Sequence, residues 1–265
     1  MCGTCGCSNP LIRAQPVSVG RIALDLSFDG PADDQPDDRH ARLERAVLDK
    51  NTRLAAQNRH AFEAAGLLAI NFMSSPGSGK TTLLERTIER LAARRPDPLA
   101  VFVIQGDQAT DNDAARVRRA GARAVQINTG QGCHLDAAMV ERAARALSPP
   151  PRSLLAIENV GNLVCPAMFD LGERYRVTVI SVTEGDDKPL KYPHMFRSSD
   201  LVIINKLDLL EHCDFDLDVC RRNILAMNPR AEILIVSARR GDGMDAWLAW
   251  LERELSRQER SEARP

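Results

Sequence analysis

Met73-Ser74-Ser75-Pro76-Gly77-Ser78-Gly79-Lys80-Thr81-Thr82 stands between an apolar run, Leu67 to Phe72, and a helical pattern, Leu83 to Arg95. A strand, a glycine-rich turn and a helix in that order read as a phosphate-binding loop. Phosphate oxygens need several backbone N–H donors close together. Glycines let the main chain approach without Cβ clashes, and the helix that follows aims its positive end at the anion. Lys80 is then set against the β- and γ-phosphates and the Thr81 hydroxyl against Mg²⁺, with Gly77, Ser78, Gly79 and Thr82 in the same cradle. The usual G-x-x-x-x-G-K-[ST] spacing has a glycine six residues before the lysine, where this chain has Ser74.

At 265 residues, 44% hydrophobic and 27% charged, the chain is long enough for one sizeable α/β core and an appendage. No run approaches the length of a membrane-spanning helix, and the first residues lack a basic stretch followed by an apolar one. A soluble, cytoplasmic protein without a secretory signal is expected. A net charge of -1 gives no electrostatic reason to expect nucleic acid as a partner. Arg116, Arg118 and Arg119 read as solvated helix surface. Seven cysteines, an odd number, argue against a disulfide framework and toward metal or redox chemistry where they cluster.

Three of them form Cys2-Gly3-Thr4-Cys5-Gly6-Cys7. Three thiolates, joined by the amine of Cys2 if Met1 is removed, suit square-planar Ni²⁺ or tetrahedral Zn²⁺. The spacing does not choose between these metals, and a redox pair is the plainer alternative. From Ser8 to Asp38 prolines and aspartates dominate, which reads as a flexible linker. Residues 1–38 are thus expected to form a metal-binding extension, and 39–265 a nucleotide-binding domain. Arg39 to Ala65 has helical apolar spacing and reads as a helix packed on that domain. Strand-like runs follow at Leu67 to Phe72, Ala100 to Gln105, Ala122 to Ile127, Leu154 to Ile157, Val177 to Val182, Leu201 to Ile204 and Ile233 to Val236. Their alternation with helical patterns predicts an α/β P-loop NTPase fold, a mainly parallel sheet with helices on both faces.

Asn205-Lys206-Leu207-Asp208 ends one of these runs. A carboxylate at Asp208 accepts two hydrogen bonds from the guanine N1–H and exocyclic amine, an arrangement adenine cannot offer. Asn205 would hold the loop, Lys206 would lie along the base, and Ser237-Ala238 would bring a backbone N–H to the guanine oxygen. Asp107, after another strand, is placed to touch Mg²⁺ directly or through water, or to orient the attacking water. Glu158, at the end of a buried strand, needs a partner that Mg²⁺ beside the γ-phosphate would supply. Cys133-His134 and Cys165 form a Zn²⁺ or Ni²⁺ set if their loops converge. By themselves they read equally as buried thiols and a helix-start histidine.

Several strings are more specific than a phosphate loop: Cys2-x-x-Cys5-Gly6-Cys7, Ser75-Pro76-Gly77-Ser78-Gly79-Lys80-Thr81, Gly130-Gln131-Gly132-Cys133-His134-Leu135-Asp136, Ile157-Glu158-Asn159-Val160-Gly161-Asn162-Leu163-Val164-Cys165-Pro166, Asp187-Lys188-Pro189-Leu190-Lys191-Tyr192-Pro193 and Asn205-Lys206-Leu207-Asp208. With them the chain resembles the hydrogenase nickel-incorporation GTPases (HypB), relatives of the urease accessory GTPases in the dimer-forming SIMIBI class. The resemblance implies tight nickel binding by Cys2, Cys5 and Cys7. It also implies a weaker Ni²⁺/Zn²⁺ site at Cys133, His134 and Cys165 near a dimer interface, tied to nucleotide state. It further implies GTP hydrolysis to GDP and phosphate with Mg²⁺, a GTP-favoured homodimer, a small zinc-containing partner (HypA), and nickel delivery to the large subunit of [NiFe]-hydrogenase. Two departures are Ser74 and the absence of a histidine-rich linker, the latter making bulk nickel storage improbable. No arginine finger is evident, so slow hydrolysis is expected. The rival readings are a GTPase for another metalloenzyme such as urease, a metal buffer or sensor whose nucleotide site is structural, and a small-molecule kinase. Cys213 and Cys220 read as structural.

Overall fold

The structure, a computed structural model, describes residues 38–94, 99–107, 112–130 and 132–262. Cys2, Cys5, Cys7, the linker and Gln131 lie outside the described residues. After α1 (Asp38–Ala64) come β1 (Leu68–Ser74), α2 (Lys80–Arg94), β2 (Val101–Asp107), α3 (Asn112–Arg119), β3 (Arg123–Asn128), α4 (Ala137–Leu147), β4 (Leu154–Gly161) and α5 (Cys165–Met168). The chain continues with β5 (Tyr175–Ser181), α6 (Lys188–Lys191), α7 (Pro193–Arg197), β6 (Leu201–Asn205), a 3₁₀ segment (Leu207–His212), α8 (Leu217–Met227), β7 (Glu232–Ile235) and α9 (Met244–Glu262). Among the described residues no helix is long and apolar enough to cross a membrane.

All strands of the sheet run parallel, in the order β3-β2-β4-β1-β5-β6-β7. The inner strands β1, β2, β4, β5 and β6 are largely buried and sort their side chains by parity, whereas the outer strands β3 and β7 are partly exposed. Leu68, Ile70 and Phe72 of β1 join Leu154 and Ala156 of β4 beneath α2, α3 and α9, in a core that includes Trp247. Ala69, Phe102, Ile104, Leu155 and Ile157 face the other way, toward α1 and α4. A third cluster under α7 and α8 takes Met73, Ile180, Val202 and Ile204. The parallel α/β architecture expected from the sequence is therefore the one observed.

Most strand ends match the apolar runs closely, but β4 does not stop at Ile157. It continues through Glu158, Asn159 and Val160 to Gly161, all paired or buried. Glu158 is thus inside a strand rather than at its end. The polar residues hid this extension, because a buried Glu-Asn pair breaks the apolar pattern that marks the rest of the strand.

Helix α1 is latched to the domain by polar groups on its inner face. Asn58 Nδ2 donates to Ala137 O at 2.8 Å and Leu171 O at 3.0 Å, while Asn51 Nδ2 donates to Asp170 O at 2.7 Å and its Oδ1 accepts from Ala137 N–H at 2.9 Å. Arg59 closes the latch with a pair of 2.7 Å bonds to Asp170. The helix passes so close to Gly172, which sits at φ +91°, that a Cβ there would lie 2.7 Å from Ala55 O and 2.8 Å from Arg59 N. Gly172→Ala is therefore expected to destabilise the fold by about 2–4 kcal/mol, through left-handed strain and backbone collision together. Urea unfolding measures this, and a loss below about 0.5 kcal/mol would contradict the packing described.

Candidate functional site

Chain order makes a crevice at the carboxyl ends of β1, β2 and β4. From β1 the chain moves outward to β2 and β3, then returns to insert β4 between β1 and β2 before crossing to β5 on the far side. Such a reversal leaves the loops after neighbouring strands diverging, and ligands of open α/β sheets bind in the gap. Here the gap is a cleft of about 450 Å³ lined by the loop from Pro76 to Thr82, the ends of β2 and β4, and Asp113 and Arg116 of α3.

Gly77 and Gly79 have φ of +74° and +96°, the left-handed region that lets the loop turn its N–H groups inward. Ser74, by contrast, is not among the residues with positive φ and still pairs with Gly161 and Val179 in the sheet. The glycine of the usual spacing is not required there by the backbone. Instead Ser74 Oγ accepts from Lys80 Nζ at 2.6 Å and donates to Ser75 O at 2.6 Å, so the substituted hydroxyl seats the loop lysine. Ser75 Oγ in turn donates to Glu184.

Glu158 is 3% exposed, and its Oε1 accepts from Thr81 Oγ1 at 2.7 Å. Its second oxygen is buried with no partner among the described residues, as are Ser78 Oγ and Gln105 Oε1, which belong to residues lining the same cleft. Burial pushes the Glu158 carboxyl up to about 7, against the opposing pull of Lys80. The same burial lowers Lys80, whose ammonium is otherwise supported by Glu158, Asp113, Glu184 and Asp107. A buried carboxylate oxygen without a partner, beside a threonine hydroxyl and facing Asp107 across one cleft, is a donor set of hard oxygens that fits Mg²⁺.

A second cavity of about 380 Å³ adjoins the first at Gly79 and Thr82 and is lined by Asn205, Lys206, Asp208, Leu209, Ala238 and Arg239. Asn205 builds it: Nδ2 donates to Ser78 O at 2.9 Å, and Oδ1 accepts from Ala238 N–H at 3.0 Å. One buried carboxamide thereby ties the phosphate loop to the loop after β7. Lys206 is left-handed at φ +61°, and its Nζ donates to Thr183 Oγ1 at 3.3 Å. Ser237 Oγ donates to Asp208 Oδ1 at 2.5 Å. Ser237 N–H donates to Asp242 O at 2.9 Å, and Ala238 N–H is the donor to Asn205 Oδ1.

Arg116 also differs from its reading as solvated surface. It holds Glu85 through Nη2 at 2.6 Å and Nε at 3.1 Å, Asp113 at 3.2 Å and Thr82 Oγ1 at 3.0 Å, bracing α3 against α2 at the mouth of the cleft. Neither Asp113 nor Arg116 stood out as a site residue in the sequence, because an acid and a base on a polar helix look like solvated charges.

The loops carrying Cys133, His134 and Cys165 do converge, with all three ligand atoms within 4.8 Å of one another. Cys133 Sγ lies 2.7 Å from Cys165 Sγ and 3.6 Å from His134 Nδ1. His134 stacks on Phe169 with ring centroids 3.7 Å apart, and burial lowers its pKa, favouring the neutral imidazole that binds metals. Asn162 Oδ1 caps Val164 N–H at 2.7 Å and Cys165 N–H at 3.4 Å, presenting the thiol at the start of α5. Two thiols and an imidazole with a fourth position open suit Ni²⁺ or Zn²⁺. Cys220 is fully buried in α8, and burial pushes its thiol up to about 12, in keeping with a structural role.

The raised pKa of Glu158 has a stability consequence in protein free of nucleotide and Mg²⁺. The folded state holds the proton more tightly than the unfolded one, so this contribution is full below the ordinary carboxyl range and is lost as pH rises toward 7. Glu158→Gln keeps an acceptor for Thr81 and removes the titration. Its stability relative to the parent is expected to improve between pH 5 and pH 8 by on the order of 1–3 kcal/mol. Urea unfolding across that range reads the difference, and a constant offset would contradict it.

Residues 68–235 match the CobW/HypB/UreG nucleotide-binding domain family. The chain is 59% identical over 220 residues to the hydrogenase maturation factor HypB of Rhizobium leguminosarum bv. viciae, covering 83% of this chain and 72% of that protein. The crystal structure of HypB from Archaeoglobus fulgidus matches with a TM-score of 0.71 at 44% identity, over 78% of this chain and 98% of that one. HypB from Helicobacter pylori in complex with nickel matches with a TM-score of 0.73 at 39% identity, over 78% and 96% of the two chains. The chain belongs to the HypB family, within the CobW/HypB/UreG group of nucleotide-binding domains.

Proposed function

We propose that the protein is a GTP-hydrolysing nickel metallochaperone that serves the maturation of [NiFe]-hydrogenase. The observation that carries this reading is the joining of two sites through one strand. Glu158 of β4 lies in the phosphate cleft, and Cys165, a few residues on, belongs to the thiol-imidazole cluster. The hydrogenase maturation factors among its relatives, and a structural relative described in complex with nickel, support the same assignment.

In this reading the β- and γ-phosphates lie along the turn at Gly77 to Thr82, with Lys80 neutralising their charge. Thr81, Asp107 and Glu158 would hold Mg²⁺, which supplies charge stabilisation at the β- and γ-oxygens. A water oxygen attacks the γ-phosphorus, the bond to the β-phosphate oxygen breaks, and GDP and phosphate leave. Asp107 orients that water. Arg116 is committed to Glu85, Asp113 and Thr82, which supports slow turnover, because no other arginine lines the cleft among the described residues. Asp208, braced by Ser237, reads the guanine edge.

Cys133, His134 and Cys165 hold nickel as cargo, with Zn²⁺ as the competing ion, and Cys2, Cys5 and Cys7 form the tighter nickel site. Val164 and Met168, both more than half exposed, flank Cys165. They support a homodimer whose interface passes beside the metal cluster, and in this reading GTP favours that dimer. A small zinc-containing partner of the HypA type and the hydrogenase large subunit complete the delivery route in the cytoplasm.

Asp208→Ala tests the nucleotide half of this account. Two charge-assisted hydrogen bonds worth about 1.5–3 kcal/mol each are lost, so GTP affinity is expected to fall at least about a hundredfold while ATP binding, weak in the parent, changes little. Equilibrium titration of both nucleotides gives the answer. Equal GTP and ATP affinity in the parent would contradict the guanine assignment, and parent GTP turnover in the range of about 1–100 s⁻¹ would contradict slow hydrolysis.

A further inference from the structure

Successive side chains of a strand face opposite sides of a sheet, so β4 addresses two places with two consecutive residues. Glu158 faces α2 and the phosphate loop. Asn159 faces the loop that carries Cys133 and His134. It is 1% exposed, and its Oδ1 accepts from Leu135 N–H at 3.1 Å and from Val160 N–H at 3.0 Å. Two donors on that oxygen fix the orientation of the carboxamide, since a rotated amide would set its NH₂ against both.

The other end of the carboxamide is fixed as well. Asn159 Nδ2 donates to Asn71 Oδ1 at 3.3 Å, and Asn71 Nδ2 to Glu173 Oε1 at 3.3 Å, where Arg176 Nε also donates at 2.6 Å. Leu135, next to His134, is fully buried and packs against Gly106, so closely that a Cβ on Gly106 would lie 2.8 Å from Leu135 Cγ. Gly106 immediately precedes Asp107, whose carbonyl accepts from Thr129 N–H at 2.9 Å, and Thr129 O accepts from Gly132 N–H at 2.8 Å. The metal loop therefore rests on two points, each one residue away from a carboxylate of the nucleotide cleft.

We propose that Asn159 is the positioning residue that couples the two sites: its carboxamide holds the Leu135 amide, so that a shift of β4 at Glu158 carries His134 and Cys133 with it. This rests on the nucleotide- and nickel-binding reading given above. Close packing favours such transmission, because Leu135 has no free volume against Gly106 into which a displacement could dissipate. Coupling of this kind is an affinity difference between nucleotide states, transmitted here through the Asn159 carboxamide at the end of β4 that lines the nucleotide cleft.

The test uses the full chain with Cys2, Cys5 and Cys7 changed to Ala, and measures Ni²⁺ affinity by chelator competition with GDP and with a non-hydrolysable GTP analogue. The parent is expected to show a ratio between the two states of about fivefold or more. Adding Asn159→Ala should bring the ratio to within about twofold of unity while each ligand still binds. An unchanged ratio in a folded Asn159→Ala protein overturns the proposal, because a merely structural asparagine would lower stability and leave the ratio alone. Amide hydrogen exchange at Leu135 needs no substitution: it should differ between the nucleotide states by about tenfold or more, and equal exchange overturns the proposal whether or not the variant folds. A parent that binds nucleotide and nickel with no ratio refutes the coupling alone. A parent that binds neither refutes the functional reading and this proposal together.

Discussion

A carboxylate buried at the centre of the sheet is the constraint on which the site depends. Glu158 has one oxygen on Thr81 and the other without a partner among the described residues. A charge in that position is costly in a low-dielectric interior, and the cost falls when a cation or a correctly placed proton arrives. The neighbourhood is arranged around it: Lys80 is buried on the same side and seated by Ser74, and Asp107 ends the adjacent strand. The cleft thus gathers a buried carboxylate and a buried ammonium, whose cost a cation bound at Glu158 would reduce.

That strand is also where the rest of the molecule meets. Its first half is ordinary core, Leu154 to Ile157, pinned between β1 and β2. In its second half the polar Glu158 and Asn159 remain inside, the first bonded to Thr81 and the second to Leu135 and Asn71, and Val160 is buried beside them. Beyond Gly161 the chain caps itself through Asn162 and delivers Cys165 to the cluster with Cys133 and His134. Asn58 and Asn51 of α1 hold Ala137 just past the metal loop, so even the N-terminal helix bears on the same region. The loops that bring Cys133, His134 and Cys165 together are thereby given fixed supports.

Much of this was legible in the sequence. Apolar runs alternating with helical patterns located the strands, and Gly77, Gly79 and Lys80 identified the loop because few other functions require a strand, that turn and a lysine in sequence. The convergence of Cys133 with Cys165 could not be derived from spacing, since 31 residues intervene and only the return of β4 beside β2 brings the loops together. Ser74 looked like a defect in a motif. Its hydroxyl seats Lys80, a role that depends on a side-chain direction the sequence does not contain. Arg116 was read as solvated surface and Asp113 passed over for a related reason, as charges on a short polar helix carry no signal of what stands opposite them.

The central claim is that the nucleotide cleft and the Cys133-His134-Cys165 cluster act as one system, and thermodynamic reciprocity offers its most direct test. In the full chain with the three N-terminal cysteines replaced, the relative affinity for GDP and a GTP analogue is measured with and without saturating Ni²⁺. Linkage requires nickel to change that relative affinity by the factor through which the nucleotides change nickel affinity, about fivefold or more. A relative affinity unmoved by nickel would mean that two adjacent sites share a strand without sharing free energy, and the account would be wrong.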